Sequence, residues 1–199
     1  MADSAIGARL RNTALAVFMD PPGQQSADQN EISRYTANNE ENNPPPTGHR
    51  VPLDHSTPFP GEDITGPAPF RDVDGSPMFI GSGFLDGGAH PCKIVPSQNP
   101  ACLLSYDNIQ IRHNGRYELL PFDPNTMEWV PAREGRIPEG RRAVEGGYEY
   151  YGPRLYHALG IYNGSLVLGK TGCHLRGFCF GFEGFEHAIR SDYLLLCWR

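Results

Sequence analysis

The chain has 199 residues, which suits one domain or two small ones sharing a core. It is 39% hydrophobic and 20% charged, and its 23 Gly and 19 Pro favour turns over long helices. A formal net charge of −6 leaves nothing to neutralise phosphates in bulk, so nucleic acid is not an expected partner.

Near the start, Ile6, Leu10, Leu15, Val17 and Phe18 fit a short amphipathic helix over 4–19, stopped by Pro21 and Pro22. Such a helix packs on the domain or on another subunit. A membrane surface is the lesser reading, since only Arg9 and Arg11 supply positive charge. The acidic residue near the start and the short apolar run do not make a signal peptide, and no run approaches the ~18 residues of a membrane span. The cysteine count of five is odd. Reduced thiols, and a cytoplasmic or non-classically secreted protein, are therefore expected. Residues 24–48 are polar and end in "NNPPPTG", which reads as an exposed arm. The globular part is expected to begin between Pro52 and Pro67.

Beyond the arm the signal is strand-like. "PMFIGSGFL", "CLLSYDNIQI", "YELLPF", "RLYHALGIY", "SLVLGK", "FCFGFEGFE" and "YLLLCW" are short apolar or alternating runs separated by Gly, Pro, Asn and Asp. The expected fold class is all-β, a tandem pseudo-twofold repeat of antiparallel sheets with an N-terminal helix or arm. Arg133, Arg136, Arg141 and Arg142 form a solvated connecting stretch. The spacing of Cys173, His174 and Cys179 invites zinc, but no second ligand pair accompanies it, and no metal or other cofactor is expected.

The repeat is explicit. "DVDGSPMFIGSGFLDGGAHPCK" at 72–93 aligns without a gap under "EYYGPRLYHALGIYNGSLVLGK" at 149–170, an offset of 77. After a length change the offset becomes 76, and Tyr106 meets Phe182, Asn108 meets Gly184, Gln110 meets Glu186 and Tyr117 meets Tyr193. The expected division is an arm at 1–50, a first unit at 51–128 and a second at 129–199, the two units forming one globular domain. Paired glycines mark turns, and paired aromatics mark half-buried strand positions. An acid and a lysine kept at the same separation, Asp72 with Lys93 and Glu149 with Lys170, serve neither purpose.

The repeat also decides the segment "GSLVLGKT" at 164–171, which fits the phosphate-binding pattern G-x-x-x-x-G-K-[ST]. That pattern needs a glycine-rich loop opening a helix. Here the variable residues are an apolar strand-like run, and the first copy, "GGAHPCKI", keeps only Gly87 and Lys93. No nucleotide is expected.

The stretch 129–170 resembles the DM9 repeat. The resemblance rests on Trp129, Gly135 to Pro138 (G-x-[IV]-P), Ala143-Val144, Gly146-Gly147, Leu155-Tyr156, Gly169-Lys170, Cys173, Gly184-Phe185-Glu186 and Tyr193 to Leu196. The first copy is diverged, keeping "MFIG", Lys93, Cys102 and "YELL". The resemblance implies antiparallel tandem repeats and binding rather than catalysis, as in mannose-specific pattern-recognition lectins, with the early-strand acid and the Gly-Lys lysine on the sugar. Carried over, the carbohydrate-binding residues are Asp72, Lys93, Glu149 and Lys170, with Tyr148, Tyr150 and Tyr151 as secondary contacts. The partners are then mannose or mannose-containing glycans, on one protomer or a homodimer.

The chemistry agrees: a carboxylate accepts hydrogen bonds from vicinal hydroxyls while an ammonium donates to them, without metal. Glu149 reaches one methylene further than the usual Asp, and Pro91-Cys92 stands where Pro-Gly is usual, so unequal sites are expected. An assembly protein on the same scaffold, associating with a membrane or partner through the arm, is the alternative. An enzyme built on His157, His174 or His187 with Cys173 or Cys179 is not expected, since no signature surrounds them.

Overall fold

The computed structural model describes residues 45–199. The expected helix over 4–19 and most of the arm over 24–48 lie outside the described residues. The described part is nearly all β. It runs β1 (Val51–Leu53), the single-turn helix α1 (Glu62–Thr65), β2 (Phe70–Arg71), β3 (Pro77–Leu85), β4 (Gly88–Ile94), β5 (Cys102–Tyr106), β6 (Ile109–His113) and β7 (Tyr117–Leu120). It continues with β8 (Met127–Ala132), β9 (Arg142–Ala143), β10 (Glu145–Tyr148), β11 (Arg154–Tyr162), β12 (Ser165–Gly172), β13 (Gly177–Phe182), β14 (Phe185–Ile189) and β15 (Tyr193–Trp198).

Local chemistry sets the hairpins. Four of them turn on two residues of positive φ: Asp86-Gly87, Asp107-Asn108, Asn163-Gly164 and Glu183-Gly184. This is the two-residue turn whose twist matches the flanking strands; its second position takes Gly, which has no Cβ, or Asn, which tolerates the left-handed region. The segment at 164–171 is accordingly a turn glycine followed by β12, with no helix after it.

The strand order is β1-β7-β3-β4-β5-β6-β14-β13-β12-β11-β15-β8, all neighbours antiparallel. It is a palindrome when each strand is exchanged for its repeat counterpart. The pseudo-twofold axis passes through the pair Ile109 and Phe185, where β6 meets β14. Around it the Gln110 N–H donates to the Gly184 carbonyl and the Glu186 N–H to the Asn108 carbonyl, both at 3.0 Å. The edges match too. Val51 pairs with Leu119 at one end, and Val130 pairs with Leu195 at the other. Among the described residues β structure thus begins at Val51, earlier than the window expected from the prolines. The two repeats are also tied by Tyr148 of β10 pairing with Ala89 of β4.

Successive residues enter different cores, because side chains alternate along a strand. Met78 and Ile80 join a cluster shared with Leu159, Leu168 and Leu196 of the second repeat. Phe79 faces Ile94, Leu104 and Leu119 of its own repeat. Ala158 and Val167 pack on Phe178 and Phe180. Burial on both faces is why these strands read as continuous apolar runs.

One buried polar strut spans the repeats. The Arg50 guanidinium donates to Ser82 Oγ at 3.1 Å and to the Glu145 carbonyl at 2.7 Å, and lies 3.0 Å from His157 Nε2. Burial, and then the Arg50 charge, hold His157 well below the usual histidine range, so its Nε2 accepts as a neutral ring. The unfolded chain takes up a proton at about pH 6.5 that the folded ring refuses. This contribution is full above that pH and is lost as pH falls. The thermal midpoint should drop between about pH 7 and pH 5, and His157→Gln should flatten that slope.

Candidate functional site: two acid and lysine clefts

Each cleft begins with a turn that presents the acid. In the first repeat the Asp72 N–H bonds the Ser76 carbonyl and the Gly75 N–H bonds the Asp72 carbonyl, both at 2.9 Å. In the second, the Glu149 N–H bonds the Pro153 carbonyl at 3.3 Å and the Gly152 N–H the Glu149 carbonyl at 2.8 Å. The lysines come from equivalent strand positions, with Ile80 opposite Lys93 and His157 opposite Lys170. Pro91 and Cys92 therefore cause no register shift: β4 stays paired with β3 from Gly88 to Ile94.

In the first cleft the Lys93 ammonium donates to both Asp72 oxygens, at 3.0 and 3.1 Å. The Val73 N–H donates to Oδ1 at 3.0 Å, and Gln98 Nε2 to Oδ2 at 3.4 Å. The side chains keep only 4% (Asp72) and 14% (Lys93) of their surface exposed. A groove of about 450 Å³ opens over the pair, walled by Gln110 and Arg112 and, from the second repeat, by Asn163, Val167 and Phe182.

The second cleft is built differently. Lys170 Nζ stands 3.9 Å from Glu149 Oε1, 3.4 Å from Glu186 Oε1 and 5.3 Å over the Tyr106 ring. His174 Nε2 lies 3.7 Å from Glu149 Oε1, and His90 Nδ1 lies 3.9 Å from Glu149 Oε2. His90 is 1% exposed, and its Nδ1 has no hydrogen-bond partner among the described residues. Burial, and then the Lys170 charge, push the His90 ring below its usual pKa, against a smaller upward pull from Glu149. Glu149 thus sits in a looser arrangement than Asp72, sharing Lys170 with Glu186.

Tyr148, Tyr150 and Tyr151 are all exposed. Tyr150 lies against the Gly87 turn, where a Cβ would strike its ring, and the Tyr150 and Tyr151 centroids are 4.1 Å apart. Of the remaining titratable candidates, Cys179 of β13 is paired with Lys170 beside the second acid and lysine. His157 is held by Arg50, and His187 lies within 3.3 Å of the Tyr162 hydroxyl and 3.2 Å of the Phe182 carbonyl. Burial pushes the Cys179 thiol up to about 11. Gln98, Gln110, His90, Tyr106 and Glu186 escaped the sequence reading as site residues, although the repeat already set Gln110 over Glu186, and His174 entered it only as a candidate metal ligand or enzyme residue.

Fold and site together define a two-repeat antiparallel β protein with an acid and a lysine brought together in each repeat, the first pair beneath a groove. The DM9 repeat family model matches residues 72–189, more than half of the chain, and the chain belongs to that family. Among solved structures, the nematode sperm cell motility protein MFP2B is similar, with 16% identity and a TM-score of 0.57. The likeness covers 76% of this chain and 46% of that one, so this chain spans less than half of MFP2B, and at this identity it shows the fold. No curated protein is similar enough to match. Among the described residues no helix is long and apolar enough to cross a membrane.

Proposed function

We propose that the protein is a metal-independent carbohydrate-binding protein of mannose type, which recognises glycans and does no chemistry on them. The observation that carries this reading is the Asp72 and Lys93 pair at the base of an open groove. An ordinary surface ion pair is exposed and contributes little. This one is largely buried yet opens towards a groove carrying the Gln98, Gln110 and Asn163 amides. A hexose hydroxyl pair finds there an acceptor carboxylate, an ammonium donor and amides that do both. Phe182 offers an apolar face to sugar C–H groups. Two clefts per protomer permit cross-linking of glycan surfaces, which gains avidity from weak sites.

Calorimetric titration of the full chain with mannose tests this. Binding is expected with and without chelator, and Lys93→Ala should weaken it at least about tenfold, the worth of one charge-assisted hydrogen bond. No response to mannose or mannose-containing glycans at millimolar concentration would reject the reading. The second reading, a non-catalytic assembly protein on the same scaffold, is favoured by the likeness to a protein named for sperm cell motility. In that case Lys93→Ala leaves self-association or partner capture unchanged.

A further inference from the structure

The two clefts are related by the pseudo-twofold axis, so each residue of one has a counterpart in the other. The acid and the lysine are kept, but the groups around them change in one direction. Gln110 of the first cleft is replaced by Glu186 in the second, and Asn163 by Asp86. Both are near-isosteric exchanges of a neutral amide for a carboxylate. Glu183 has Asp107 as its counterpart, and Arg112 has Ala188, which removes a cation. The first cleft balances Asp72 and Glu183 against Lys93 and Arg112. In the second, Glu149 and Glu186 face the single ammonium of Lys170, and the counterparts Asp86 and Asp107 add two further carboxylates nearby. Asp86 and Asp107 are close enough to act with Glu149 on the Tyr106 hydroxyl, and Asp86 also acts on His90.

The hydrogen bonding of the second cleft is also incomplete. Lys93 donates to both oxygens of its acid, whereas among the described residues no group accepts a well-formed hydrogen bond from Lys170. His90, 99% buried and without a partner at Nδ1, points that nitrogen towards Glu149. Buried donors and acceptors left open in this way are costly unless a ligand or water completes them. Lys170 stands 3.4 Å from Glu186 Oε1, a buried oxygen without a hydrogen-bond partner among the described residues, and 3.9 Å from Glu149 Oε1.

We propose that the second cleft binds a hydroxylated ligand carrying a free ammonium group, an amino sugar, with the ammonium between Glu149, Glu186 and Asp86 and the hydroxyls on Lys170 and His90. The two clefts of one protomer then differ in ligand class, neutral sugar in the first and amino sugar in the second. This rests on the carbohydrate-binding reading of the scaffold.

Calorimetry on the full chain with glucosamine and N-acetylglucosamine tests it, at about pH 6.5, where the free amine is protonated. Lys93→Ala serves as background, so that the first cleft is silent and its failure is read separately with mannose. Glucosamine is expected to bind this variant at one site, at least about tenfold more tightly than N-acetylglucosamine, which lacks the charge. Glu186→Gln should remove that preference without harming the fold. Gln110 shows that an amide fits there, since its Oε1 accepts the Gly184 N–H at 3.1 Å as Glu186 Oε2 accepts the Asn108 N–H at 3.1 Å. Asp86→Asn, in an exposed turn, should reduce the preference again. Equal affinity for the two sugars, no binding of glucosamine in the Lys93→Ala background, or a preference indifferent to Glu186→Gln would each overturn the proposal.

Discussion

Gly147→Ala is expected to destabilise the protein by about 3 kcal/mol or more, and to lower the thermal midpoint by roughly 10 °C. Gly147 sits at the irregularity in the pairing of β10 with β11, with φ at 148°, a region other residues rarely enter. A Cβ there would collide with the carbonyl oxygen and carbon of Ala89. Those atoms are backbone on β4, and they cannot swing aside as a flexible side chain could. The contact is also the one where the second repeat's β10 meets the first repeat, next to the Tyr148 and Ala89 pair. Damage there therefore loosens the junction from which Glu149 is presented. Gly164→Ala separates the two causes. Its φ is 78°, yet a Cβ there meets nothing within 4 Å. It should cost only the left-handed backbone penalty, about 1–2 kcal/mol. Thermal unfolding of both variants checks the order, and equal losses would mean that the collision with Ala89 is relieved by movement.

The repeat made the β class legible. The same turn pairs, Asp86-Gly87 with Asn163-Gly164 and Asp107-Asn108 with Glu183-Gly184, recur at offsets of 77 and 76, and each must bend the chain at the same point. The equivalence of β1 and β8 was not legible. Each is an edge strand bonded to one neighbour through its backbone, and backbone bonds constrain side chains weakly. The acid and lysine of each cleft could be found because they lie within one repeat. His90 and Tyr106 could not. An alignment sets them over Val167 and Phe182, which belong to the other cleft, because each cleft takes its far wall from the opposite repeat. Only the pairing across the axis turns Gln110 over Glu186 from an aligned strand position into a difference between two sites.

Lys93→Met is expected to cost about 2–3 kcal/mol of stability, while the double variant Asp72→Asn with Lys93→Met should cost about 1 kcal/mol. The single substitution leaves the Asp72 carboxylate 4% exposed and without its ammonium. The Val73 N–H and Gln98 amide that remain are neutral donors and offset only part of its desolvation. Removing a whole buried pair leaves no uncompensated charge, so the double variant recovers much of the loss. The full 3–5 kcal/mol of a deeply buried broken pair is not reached, because Lys93 retains 14% exposure to water. Denaturant unfolding of the four proteins of this cycle gives the coupling, expected at about 2 kcal/mol or more once the cost of Asp72→Asn alone is added. Additive losses would mean that the carboxylate and ammonium are held apart in solution, each by its own solvent shell. Glu149 with Lys170 should couple more weakly, because the pair stands at 3.9 Å and the ammonium is shared with Glu186. Stability and recognition part company in this cycle. The double variant regains a quiet core but presents neither a carboxylate nor an ammonium to the groove, so mannose binding should be lost in it as fully as in Lys93→Met.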